Sequence, residues 1–139
     1  MNKLNLTPAA TVLVLKDSSH GMEVLMVKRS SRPPFGDLFV FPGGKIDHSD
    51  FNNKIEDLCE DITDKEASIK LGLDSGGLAY WVACIRECFE EVGILLAKKR
   101  NGEDLDLDGS DKSKFQKYRK MLLNNEIDLY QIWSEEDLI

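Results

Sequence analysis

The chain has 139 residues, 42% of them hydrophobic, which allows one domain with a modest core, and it carries a net charge of −7. The excess of carboxylates, with a pI near 4.8 and no basic patch interleaved with aromatics, argues against nucleic acid or an anionic membrane as partner. Three cysteines without metal-ligand spacing, and an apolar run too short for a bilayer, point to a reducing, cytoplasmic setting.

In chain order, Ala9–Leu15 reads as a buried strand ended by a turn over Lys16–Gly21, with Met22–Arg29 as its hairpin partner. After the loop holding Pro33, Pro34 and Gly36, Leu38–Phe41 is a short strand that runs into Pro42-Gly43-Gly44. Thr63-Asp64-Lys65-Glu66 is a capping box, which predicts a helix to about Leu71, broken by Gly76-Gly77. A second helix is expected from Leu78 to Glu91, stopped by Gly93, and a strand over Ile94–Ala97. Asp104–Gly109 matches the first half of a calcium loop, but Phe115 stands where the loop needs its bidentate Glu, so the segment reads as an acidic turn. A helix from Ser110 or Asp111 follows, with Phe115, Tyr118 and Leu122 on one side.

The second helix carries the chemistry. At about 100° per residue, Glu87, Glu90 and Glu91 share an arc roughly 100° wide, opposite Leu78, Val82, Ile85 and Phe89. Glutamates so spaced also describe an ordinary solvated helix face. Two features favour a site: Ala79 and Ala83 leave room beside the glutamates, and Phe41-Pro42-Gly43-Gly44 upstream is a strand end entering a glycine kink. Cys84 and Cys88 read as small packing residues on this helix.

The run Arg86-Glu87-Cys88-Phe89-Glu90-Glu91-Val92-Gly93-Ile94, together with Gly43-Gly44, resembles the signature of the Nudix hydrolases. Asp50 stands where that signature has its first Glu, and an insertion over about 51–77 splits the signature in two. A split of this kind resembles the branch that includes the peroxisomal coenzyme A diphosphatases. The resemblance spans about 23–97 and implies an α+β fold, an α/β/α sandwich with a mixed sheet.

It also implies Glu87, Glu90 and Glu91 as ligands of Mg²⁺ or Mn²⁺, with the Gly43 carbonyl completing the shell. Hard oxygen ligands suit these ions and not zinc. Glu90, Glu91 and Arg86 form the implied catalytic set, and Asp50 supports the box through Arg86. Arg29, Arg32 and Gly44 are the expected substrate contacts, since Arg forks suit phosphates. The implied activity is metal-dependent hydrolysis of the diphosphate linkage in a nucleoside diphosphate derivative, with coenzyme A or acyl-coenzyme A favoured.

Ser134-Glu135-Glu136-Asp137 reads as the start of a helix that Ile139 cuts short. On that reading residues 1–139 are one Nudix-like domain truncated at the C-terminus, about 98–139 are its helical tail, and an open sheet edge favours a homo-oligomer. The reading from a different class is a catalytically incomplete module that binds metal or nucleotide.

Overall fold

The helix over Leu78–Val92 organises the fold, and it is the second of four α-helices among the described residues. Its buried residues Leu78, Ala79, Val82, Ala83, Arg86, Cys88 and Phe89 fall on connected faces, and Gly93 ends it in the left-handed conformation at φ 74°. The computed structural model describes residues 6–28 and 38–139. Within these, the strands are β1 (Ala9–Thr11), β2 (Leu15–Ser18), β3 (Gly21–Val24), β4 (Val27–Lys28), β5 (Phe39–Val40) and β6 (Gly43–Lys45). The helices are α1 (Asp64–Leu71), α2 (Leu78–Val92), α3 (Lys112–Leu123) and α4 (Leu129–Glu135), with 3₁₀ turns at His48–Phe51 and Ile55–Leu58.

Among the described residues the strands form three antiparallel pairs, β1 with β6, β2 with β3 and β4 with β5. Helix α2 packs across β1 and β6, with the His48–Phe51 turn beside it. Its apolar side meets α3, where Phe89 and Phe115 touch edge to face at 6.5 Å between ring centroids. Phe89, Phe115, Leu122, Ile132, Trp133 and Leu138 share one buried cluster, so α3 and α4 supply much of the core that carries α2.

The capping box at Thr63 forms as expected: its hydroxyl accepts from the Glu66 amide at 3.2 Å, and the Glu66 carboxylate accepts from the Thr63 amide at 2.9 Å. Helix α1 ends at Gly72, ahead of the glycine pair at Gly76-Gly77. The helix from Ser110 or Asp111 is α3, with Phe115 and Leu122 buried and Tyr118 half-buried. The acidic turn is held by its own carboxylates, Asp106 Oδ2 accepting from the Ser110 amide at 3.0 Å and Asp111 Oδ2 from the Asp106 amide at 3.2 Å.

Five expectations change. Ala9–Leu15 is not one buried strand: β1 stops at Thr11, and Leu13 and Leu15 are exposed. The register pairs Thr11 with Gly43, so the next partner is Pro42, which has no N–H to extend the ladder; Val12 only donates to its carbonyl at 3.0 Å. The expected turn over Lys16–Gly21 is narrower, because Lys16 and Asp17 pair with Glu23 and Met22. The hairpin partner correspondingly divides into β3 and β4, and Arg29 lies outside the described residues.

Ile94–Ala97 forms no strand; backbone pairing begins one residue later, where Lys98 and Ile139 exchange N–H···O bonds of 3.0 and 2.9 Å. Leu95 is instead spent on the core. Finally, Ser134 and Glu135 end α4 and do not begin a helix. The true start is Asp128, whose carboxylate accepts from the Gln131 amide at 2.8 Å.

Candidate functional site

Arg86 lies at the centre of the site, and every one of its five N–H groups has a partner. Nε donates to Asp50 Oδ1 at 2.8 Å, and Nη2 donates to Asp50 Oδ2 and to the Lys45 carbonyl, both at 2.9 Å. Nη1 donates to Glu87 Oε1 at 3.0 Å and to Glu90 Oε2 at 3.3 Å. The Asp50 carboxylate also accepts from the Asp47 amide at 2.7 Å, so the 3₁₀ turn at His48–Phe51 is tied to α2 by a buried bidentate pair. The aspartate in place of the expected glutamate therefore reaches Arg86 despite the insertion.

Burial would make the Arg86 guanidinium easier to deprotonate, but the hydrogen bonds and charge of Asp50 override it and hold the cation. Burial also pushes the Glu87 and Glu90 carboxyls above the usual carboxylate range, although the Arg86 charge pulls each of them down. These are two acids that would gain from a further cation nearby.

Opposite them runs β6. The Gly43 amide donates to Glu91 Oε2 at 3.2 Å, so the contact seen at Gly43 is through its N–H. A Cβ at Gly44 would fall inside the Glu87 carboxylate, which explains why glycine stands there: the strand must pass against the acid without a side chain between. A cavity of about 520 Å³ opens beside this strand, lined by Val27, Lys28, Val40, Gly43, Gly44, Lys45 and Glu91 among others. Ala83 is fully buried, so the room expected beside it is filled by the protein.

The structure thus brings together Glu87, Glu90, Glu91, Arg86, Asp50, Gly43 and Gly44, while Arg29 and Arg32 lie outside the described residues. Within the described residues no three His, Cys, Asp or Glu side chains converge closely enough to grip an ion. Glu87 and Glu90 turn to Arg86, and Glu91 turns to the Gly43 amide. The donor set still fits Mg²⁺ or Mn²⁺ in kind. It offers hard oxygens from one helical turn, with Glu87 and Glu90 being acids that burial disfavours as anions, next to the Gly43-Gly44 pair of β6.

No family profile matches the chain. It is 29% identical to the acyl-coenzyme A diphosphatase NUDT19 of Xenopus laevis, an alignment covering 91% of this chain and 46% of that protein. Among solved structures, it resembles the Nudix hydrolase from Alicyclobacillus acidocaldarius, with a TM-score of 0.52, 25% identity, and coverage of 79% of this chain and 52% of the other. In sequence and in fold the chain resembles the Nudix hydrolases. Its fold is the α+β Nudix fold, and the chain spans about half the length of the curated relative it matches.

Two residues of this site escaped the sequence pattern. Lys45 follows the glycine pair directly; its carbonyl anchors Arg86 and it lines the cavity, so its adjacency to Gly44 was a usable signal. Arg119 on α3 donates to the backbone carbonyls of Glu90 and Glu91. Nothing local to Arg119 in sequence announces that contact, which exists only because α3 packs on α2.

Proposed function

We propose that this chain is a metal-dependent Nudix pyrophosphohydrolase that cleaves the diphosphate linkage of a nucleoside diphosphate derivative, with coenzyme A or acyl-coenzyme A as favoured substrate. One observation carries the reading: Glu87, Glu90 and Glu91 leave one turn of α2 toward the Gly43-Gly44 strand, tied by Arg86 to Asp50. The substrate class is supported by the name of the Xenopus laevis relative.

Glu87, Glu90 and Glu91 would hold Mg²⁺ or Mn²⁺, with the Gly43 carbonyl as a further oxygen. When bound, such an ion neutralises charge that builds on phosphoryl oxygens as the P–O bond breaks. Arg86 keeps Glu87 and Glu90 in place and Asp50 keeps Arg86 in place. The substrate diphosphate would lie in the cavity along Gly44 and Lys45, where a lysine ammonium and a glycine pair without side chains suit a bulky anion. Arg29 and Arg32 are assigned to the substrate by their place in the sequence. The three cysteines are free thiols, as a reducing cytoplasm would keep them.

A hydrolysis screen over coenzyme A, acyl-coenzyme A, ADP-ribose, NADH and nucleoside triphosphates, with Mg²⁺ or Mn²⁺, tests this. Turnover of the coenzyme A compounds that is lost in Glu90→Gln and Glu91→Gln is the expected result. Metal-dependent turnover surviving both changes would sink the site assignment. One observation favours a second reading, a module that binds metal or nucleotide without hydrolysis: all three carboxylates already have protein donors. A wild-type chain that binds Mn²⁺ but turns over none of these compounds would establish that reading.

A further inference from the structure

The last turn of α2 carries both Glu90 and Glu91, and its backbone is gripped from outside the helix. Arg119 donates from Nε and Nη2 to the Glu90 carbonyl at 3.0 and 2.7 Å, and from Nη2 to the Glu91 carbonyl at 3.0 Å. The final carbonyls of a helix have no partner within it, so a planar fork that takes two of them fixes the direction of that turn. The guanidinium also lies over the helix stop, since a Cβ at Gly93 would sit 3.5 Å from Nη1. Arg119 is itself held in place, because α3 is pinned to α2 by the edge-to-face contact of Phe115 with Phe89.

We propose that Arg119 is a positioning residue for the cation site, setting the backbone from which Glu90 and Glu91 project and thereby the affinity for the divalent ion. The inference rests on the reading of Glu87, Glu90 and Glu91 as cation ligands. It makes a prediction opposite in sign to that of simple electrostatics. A guanidinium near an acidic site repels a cation, so charge alone requires Arg119→Gln to tighten metal binding. Loss of positioning weakens it.

The test is a Mn²⁺ titration of the full chain, free Mn²⁺ being read by electron paramagnetic resonance, with circular dichroism confirming that each variant is folded. Arg119→Gln is expected to raise the Mn²⁺ Kd about tenfold, the scale for groups that orient metal ligands. Arg119→Lys keeps the charge without the fork and should fall between. Amide exchange at Gly93, whose N–H donates to the Phe89 carbonyl at 2.9 Å, should quicken in parallel. A Kd in Arg119→Gln equal to or below that of wild type overturns the proposal and leaves Arg119 a cap for stability. Where Arg119→Gln does not fold, Arg119→Lys decides, and a Kd equal to wild type overturns it. Wild-type protein that binds no Mn²⁺ overturns the metal-site reading as well, a result distinct from either.

Discussion

With all five N–H groups of Arg86 bonded and the Asp50 side chain 1% exposed, removing the arginine leaves a buried carboxylate whose only remaining donor of those described is the Asp47 amide. Breaking one side of a buried ion pair costs about 3–5 kcal/mol. Arg86→Leu should therefore lose about that much stability in urea denaturation, before any effect on catalysis is considered. Glu90 behaves in the opposite sense. Burial raises its pKa above the ordinary range, so the folded state holds that proton at pH values where the unfolded chain has released it. Stability then falls as pH rises from the unfolded carboxylate pKa through the raised folded one, and the ionised acid is a net cost above it. Without metal, Glu90→Gln should melt no lower than wild type at pH 7, the difference closing as the pH drops below the unfolded pKa. A calorimetric pH series on both proteins checks this. A clearly lower melting point for the variant at neutral pH would show that the Arg86 contact outweighs burial.

Helix α2 is supported at both ends by other elements. At its start, the Asp64 carboxylate accepts from the Leu78 and Gly76 amides, both at 3.0 Å, and Ser68 Oγ accepts from the Gly77 amide at 2.8 Å. The segment that interrupts the signature, about 51–77, thus supplies the N-terminal cap of the helix that the signature defines. Asp64→Ala removes two charge-assisted bonds at the start of α2 and should cost about 2–3 kcal/mol. Thr63→Ala removes only the α1 cap and should cost about 1 kcal/mol. Equal losses for the two in chemical denaturation would mean that α1 does not brace α2. The capping box of α1 and the stop at Gly93 were readable because each is a local pattern of side chain and backbone. The brace between the helices was not, since Asp64 and Leu78 meet only after the chain folds back.

Across the whole molecule, α3 and α4 hold α2 from its apolar side. Trp133 is 5% exposed and joins Ile132 and Leu138 in the cluster that includes Phe89. Replacing a buried aromatic with alanine costs about 3–5 kcal/mol. Trp133→Ala should lose stability on that scale, seen as an earlier urea midpoint, although it lies on a different helix from every proposed ligand. A loss under about 1 kcal/mol, the range of surface changes, would show that α4 is peripheral to this core.

The sequence by itself determined α2, its acidic arc and a glycine kink upstream, because helical periodicity and the φ freedom of glycine are local properties; that the glycine pair lies within a strand was decided by its pairing with β1. It also carried the pairing of Arg86 with Asp50, through the likeness of the split signature to the Nudix pattern. Strand limits were decided by pairing, as when Pro42 ended β1 opposite it. Only the tertiary structure turned Glu87 and Glu90 toward Arg86, set Glu91 on the Gly43 amide, and brought Arg119 to the carbonyls of α2. Each of those contacts depends on the meeting of segments distant in sequence or on a choice of rotamer within a crowded site, and neither is written in spacing.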